Sequence, residues 1–190
     1  MYPVDILVAM GSSKNPSGSD RDKDSSGNGK LRLCFVCLGN ICRSPTAEGI
    51  MRTLVSQQGL DGHIEVESAG TGTWHLGEPA DSRARATAQG RGVVLDRRAQ
   101  QFTHDWFDRF DYVLVMDEDI QKTIRRLSPE AADHEKVHVL RDFDPESPKG
   151  SRVPDPYYGG PDGFEDVFDI CDAACRGLLD HIRREHHLSK

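Results

Sequence analysis

Leu31-Arg32-Leu33-Cys34-Phe35-Val36-Cys37-Leu38-Gly39-Asn40-Ile41-Cys42-Arg43-Ser44-Pro45 joins an apolar run to a short loop and then to a helix start. Leu31, Leu33, Phe35 and Val36, with few polar residues among them, predict a short buried strand of a parallel sheet. Downstream, Ser44 is placed to cap a helix, Pro45 fits its first position and Glu48 falls in its first turn. Ala47, Ile50, Met51, Leu54 and Val55 then line one apolar face. A loop pinned between strand and helix gathers successive backbone N–H groups into one concavity, which suits a tetrahedral oxyanion such as phosphate. Cys37 is expected at the floor of that concavity and Arg43 at its rim. The same N–H groups, the guanidinium and the helix N-terminus also stabilise a thiolate, so the loop that binds the anion makes its own nucleophile.

The spacing of a cysteine, five residues, an arginine and a serine is common enough that its context must carry the reading. Cys34 sits inside the strand and reads as a small buried hydrophobe. Cys34 and Cys37 are three residues apart in extended chain and point to opposite faces, which argues against both a disulfide and a shared metal between them.

Beyond this segment, strands and helices take turns. Ile64 to Val66 reads as a strand, Asp81 to Gly90 as a helix capped by its own aspartate, and Tyr112 to Met116 as a second buried strand. Asp119 to Leu127 reads as a helix and Val137 to Leu140 as an edge strand. Asp162 and Glu165 make a capping-box-like start for a last helix, whose face of Phe164, Val167, Phe168, Cys171, Cys175, Leu178 and Ile182 must pack on the sheet. Cys171 and Cys175 read as core. The expectation is an α/β fold: one domain over residues 31–190, a four-stranded parallel sheet with helices on both faces, and a phosphate-binding loop between the first strand and first helix. In such sheets ligands bind beyond the carboxyl ends of the strands. Cys37, Ser68 to Trp74 and Asp117 all follow strands at that edge.

Composition sets the remaining bounds. The 190 residues allow one domain with a real core, and 36% hydrophobic with 29% charged residues is ordinary for a soluble protein. A formal net charge of −7 offers no basic surface to a nucleic acid, so any anion site must be local. The arginines between Arg83 and Arg98, and Arg125 with Arg126, are interleaved with acids and read as solvated faces. Ile6 to Met10 is too short to span a membrane and follows no basic stretch, so neither a membrane span nor a signal peptide is expected. Five cysteines with one proposed as catalytic argue for a reducing, cytoplasmic setting. From Gly11 to Lys30 there is no apolar residue, and residues 1–30 are expected to be a disordered extension, read as a dispensable natural tail, the product of a misplaced start codon or a tether ending in Ile6-Leu7-Val8. His186 and His187 lie at a fraying end and carry no metal role.

Phe35-Val36-Cys37-Leu38-Gly39-Asn40-Ile41-Cys42-Arg43-Ser44-Pro45-Thr46-Ala47-Glu48 resembles the phosphate-binding loop and first helix of the low-molecular-weight protein tyrosine phosphatases. Glu67-Ser68-Ala69-Gly70-Thr71-Gly72-Thr73-Trp74, Tyr112-Val113-Leu114-Val115-Met116-Asp117 and Val153-Pro154-Asp155-Pro156-Tyr157-Tyr158-Gly159 are similar to further segments of that family, in the same order. The resemblance covers residues 31–188. It implies Cys37 as nucleophile, Arg43 as phosphate clamp and Asp155 as general acid and then base. It implies that Leu38, Gly39, Asn40, Ile41, Cys42 and Ser44 form the binding loop, with Asn40 and Ser44 supporting the thiolate, and that Trp74, Tyr157 and Tyr158 wall the pocket for an aromatic ring. One departure is Arg91, which aligns where the family commonly has a histidine bonded to the loop asparagine.

On this reading tyrosine-phosphorylated proteins, or small aryl phosphates, are the substrates of a monomer that needs neither cofactor nor metal. A phenolate leaves with a pKa near 10 and needs a proton at neutral pH, which Asp155, stiffened by Pro154 and Pro156, supplies. Cys42 shares the loop with Cys37 and can capture an oxidised nucleophile as a disulfide, which makes the site redox-sensitive. Tyr157 and Tyr158 are themselves candidate phosphorylation sites. Two alternatives stand. An arsenate reductase of the same fold needs a cysteine relay, and no cysteine lies between Cys42 and Cys171. A non-catalytic phosphotyrosine-binding module predicts loss of the nucleophile or the acid, and both are present.

Overall fold

The computed structural model describes residues 29–160 and 162–188. The expected disordered extension lies outside these residues, except for the exposed Gly29 and Lys30. Four parallel strands form the sheet: β1 (Leu31–Cys37), β2 (Ile64–Gly70), β3 (Tyr112–Val115) and β4 (Val137–Val139). Their order is β2-β1-β3-β4. The chain leaves β1 toward β2 on one side and returns to β3 on the other, so the direction of winding reverses at the carboxyl end of β1. That reversal opens a crevice at the end of the strand that carries Cys37.

The α-helices are α1 (Arg43–Gln57), α2 (Ser82–Gly90), α3 (Glu118–Arg125), α4 (Ala131–Glu135) and α5 (Asp162–Glu185). Alternation along β1 divides the interior into two layers. Leu33, Phe35 and Cys37 face α1 and α5, where Ile50, Met51, Leu54, Phe168, Cys171, Cys175 and Leu178 fill the larger core. Cys34 and Val36 face the other layer, with Phe102, Trp106, Phe107 and Phe110 around a 3₁₀ turn at His104–Asp108 and with Ile120 and Ile124 of α3. The two cysteines thus lie in different cores. The fold class is the expected one, with helices on both faces of a parallel sheet.

Local expectations differ from the structure in several places: α4 was not expected, Pro45 is the third rather than the first residue of α1, α3 runs Glu118–Arg125 rather than from Asp119 to Leu127, and β3 ends at Val115. Cys42, not Ser44, occupies the position before α1 and makes no side-chain cap, because Ser44 is already the second helical residue and its hydroxyl turns inward. Glu48 lies in the second turn rather than the first, and it is buried. β4 stops at Val139, and Leu140 begins a 3₁₀ turn to Phe143. β2 runs on to Gly70, past the expected Val66. Gly70 must be small: a Cβ there would lie 2.8 Å from the Leu38 carbonyl oxygen and 3.0 Å from the Asn40 nitrogen. The end of β2 therefore presses directly on the loop after β1. Among the described residues, no helix is long and apolar enough to cross a membrane.

Candidate active site

The loop Leu38–Cys42 turns from β1 into α1 through Asn40, whose φ of 55° is a left-handed conformation that asparagine tolerates better than most residues. This turn folds the chain back over Cys37, and the Asn40 N–H donates to Cys37 Sγ at 3.2 Å. No hydrogen bond among the described residues uses the N–H groups of Gly39, Ile41, Cys42 or Arg43. Ile41, Cys42 and Arg43 are buried, so these unspent donors form a lining for an anion.

Behind the loop the polar groups are bonded in one direction. The Asn40 Nδ2 amide donates to Ser44 Oγ and to Ser68 Oγ, each at 2.9 Å, and Oδ1 accepts the Gln100 N–H at 2.9 Å. Ser68 Oγ donates to Glu48 Oε2 at 2.6 Å. Because the amide occupies a lone pair of Ser44 Oγ, the hydroxyl proton of Ser44 is free to serve Cys37 Sγ, 3.0 Å away, or the Ala69 carbonyl at 3.2 Å. A thiolate at Cys37 would draw that proton to itself. Glu48 anchors the chain of bonds with its carboxylate 3.7 Å from Arg97 Nε. Burial pushes the Glu48 carboxyl up from its ordinary value, against the Ser68 hydroxyl and the Arg52 and Arg97 guanidiniums, which pull it down. Arg91 does not approach Asn40. It pairs instead with Glu165 at 3.3 Å and Asp169 at 2.7 Å on α5. Asn40 is held instead by the Gln100 N–H and by Ser68.

Arg43 is 5% exposed, and its guanidinium is divided between two carboxylates. Nη1 donates to Asp117 Oδ2 at 2.8 Å and Nη2 to Asp155 Oδ2 at 2.9 Å. Asp117 also accepts the Ile120 N–H at 2.8 Å, capping α3, so the group that steadies the arginine is itself fixed. Asp155 is more open, and its Oδ1 accepts the Tyr157 N–H at 3.1 Å.

These residues surround a cavity of about 330 Å³. Its lining includes the buried Cys37 and Arg43 together with Trp74, His75, Asp155, Tyr157 and Tyr158. Trp74 is 71% and Tyr158 95% exposed, which leaves both rings free to close on a guest. The two tyrosine rings meet edge to face at 5.0 Å. His75, bonded through Nδ1 to Glu78 Oε2 at 2.7 Å, was not anticipated, although it adjoins Trp74 in sequence. Ser68 and Asp117 were expected at this edge without a role, and nothing in the sequence singled out Gln100. A larger cleft of about 990 Å³ near the amino ends of β1 and β2 is lined by no cysteine, and its arginines are paired with Glu65, Asp96 and Glu48.

Four other thiols are buried. Burial pushes Cys34 and Cys175 well up and Cys42 and Cys171 to about 12, so these four are neutral. No group of three or more His, Cys, Asp or Glu side chains among the described residues is arranged to hold a metal.

Comparison with known proteins agrees with the geometry. The family model described as low molecular weight phosphotyrosine protein phosphatase matches residues 32–188. A low molecular weight protein-tyrosine-phosphatase of Streptomyces coelicolor is 48% identical over 155 residues, covering 81% of this chain and 94% of that protein. The Homo sapiens low molecular weight phosphotyrosine protein phosphatase is 38% identical, covering 78% and 93%. The crystal structure of a protein tyrosine phosphatase from Entamoeba histolytica, with Hepes in its active site, superposes with a TM-score of 0.78 at 38% identity, covering 84% of this chain and 100% of that one. With the family model spanning residues 32–188 and a relative 48% identical over 155 residues, this chain belongs to the low molecular weight phosphotyrosine protein phosphatase family.

Proposed function

We propose that the protein hydrolyses phosphotyrosine in proteins, or simple aryl phosphates, through a cysteinyl-phosphate on Cys37. The observation that carries this reading is a buried thiol lining an aromatic-walled cavity together with a buried arginine and the half-exposed carboxyl bonded to it. The phosphoryl group lies in the loop, its oxygens taking the unspent N–H groups and the Arg43 guanidinium. The Cys37 thiolate attacks phosphorus. A sulfur–phosphorus bond forms as the phosphorus–phenol oxygen bond breaks, and the Asp155 carboxyl gives its proton to the departing oxygen. A water then attacks phosphorus, Asp155 takes its proton, and inorganic phosphate leaves with the thiolate restored. Loop donors hold the charge that shifts among the oxygens, where one donor contributes about 10²- to 10³-fold. Trp74, Tyr157 and Tyr158 hold the substrate ring.

Cys42 gives the site its redox response. Peroxide converts the Cys37 thiolate to a sulfenic acid, the Cys42 sulfur attacks it, and water leaves as the disulfide forms. The protein works as a monomer in the reducing cytoplasm. An arsenate-reducing relay would need a further accessible thiol, and Cys34, Cys42, Cys171 and Cys175 are all buried.

The test is hydrolysis of phosphotyrosine and phosphoserine peptides in EDTA and reductant, with Cys37→Ser and Asp155→Asn beside the wild type. Turnover of phosphotyrosine alone is expected, abolished by the first change and slowed about 10²-fold or more by the second. Absence of wild-type turnover refutes the reading.

A further inference from the structure

Asp81 caps α2 by accepting the Arg83 N–H at 2.8 Å, while its own N–H donates to the Ile41 carbonyl of the nucleophile's loop at 2.8 Å. The Arg83 side chain folds back on the same carboxylate, Nε to Oδ1 at 3.0 Å and Nη2 to Oδ2 at 2.9 Å. The third corner of the guanidinium, Nη1, donates to the Tyr157 carbonyl at 3.2 Å. Its face lies 4.6 Å from the Phe164 ring and 5.4 Å from the Tyr157 ring. Phe164 is buried with Ile41, Cys42 and Ala84. One planar group therefore ties the segment two residues past Asp155 to the loop that carries the nucleophile and to the start of α5.

We infer that Arg83 is a positioning residue for proton donation by Asp155, a role that rests on the phosphatase reading. Asp155 leans on Arg43 at 2.9 Å. A bound phosphoryl group competes for that guanidinium, and Asp155 is then oriented by the Tyr157 N–H, so by whatever holds residue 157. Only the arginine fork can bond Asp81 with two nitrogens and reach Tyr157 with a third; a lysine cannot. Arg83 is itself substantially exposed and adds little to global stability, so its effect falls on geometry.

The experiment compares Arg83→Met, which keeps an unbranched apolar stem over Phe164, with wild type on phenyl phosphate and on a nitro-activated aryl phosphate. A displaced acid harms the substrate whose leaving group needs the proton. The expected result is about a tenfold loss of kcat/KM on phenyl phosphate and under about threefold on the activated ester. Arg83→Lys should behave as Arg83→Met does, and neither should add a loss in the Asp155→Asn background. Equal losses on both esters, or full additivity with Asp155→Asn, overturn the assignment. Amide hydrogen exchange over residues 155–158 needs no turnover and should quicken at least about threefold in Arg83→Met. Unchanged exchange overturns the bracket, whereas an inactive wild type refutes the phosphatase reading alone.

Discussion

Replacing Asn40 separates two contributions that one residue makes to the loop. Asn40→Ala deletes three buried hydrogen bonds of 2.9 Å, to Ser44, Ser68 and the Gln100 N–H. At about 0.5–1.5 kcal/mol each, that is roughly 2–4 kcal/mol. Alanine must also hold a φ of 55°, which costs about 1–2 kcal/mol more. Asn40→Gly loses the same bonds and the Cβ as well, yet adopts that φ freely. Urea unfolding with an unchanged m-value should therefore place Asn40→Ala about 3–6 kcal/mol below wild type and Asn40→Gly about 1–2 kcal/mol above the alanine variant. Both should lose about 10² in kcat/KM on phosphotyrosine peptide, because the Asn40 amide no longer orients the Ser44 hydroxyl beside Cys37. Equal stability of the two variants would refute the backbone argument. A loss under about 1 kcal/mol in either would refute the hydrogen-bond argument.

Glu48→Gln tests the buried carboxyl. Burial holds its pKa above the ordinary 4.5, so the native protein keeps a proton that the unfolded chain has released, and stability falls as pH rises from 4.5 through the folded value. The glutamine variant should flatten that limb of Tm against pH, and an unchanged slope contradicts the reasoning. Cys42→Ser should recover less activity than wild type when thiol is added after a peroxide pulse; full recovery removes Cys42 from the redox role. With the Cys42 thiol pushed up to about 12, wild-type protection should also improve between about pH 7 and 9. Gly177→Ala places a methyl against the Phe143 carbonyl and 3.6 Å from Pro145 Cδ. It should cost about 1–3 kcal/mol by thermal unfolding and leave kcat unchanged at low temperature.

Residues 31–45 alone determined the strand, the anion loop, the nucleophile and the guanidinium, since every one of these rests on neighbours within a few positions. Alternating strands and helices likewise determined a parallel sheet, and the apolar face of α5 was legible from its helical spacing. Helix starts were less so. Ser44 has the chemistry of a cap, and tertiary bonding to Cys37, Asn40 and Ala69 drew its hydroxyl inward instead. The division of Arg43 between Asp117 and Asp155 joins positions 74 and 112 residues away, and only the closing of the sheet around β1 brings them together. The same holds for Glu48, Ser68 and Gln100 behind Asn40, where a buried amide has to find partners in whatever backbone and side chains pack beside it. Local sequence determines which groups are available to a site. Burial and long-range contact determine which of them meet, because only there does an unpaired polar group carry a cost large enough to select its neighbours.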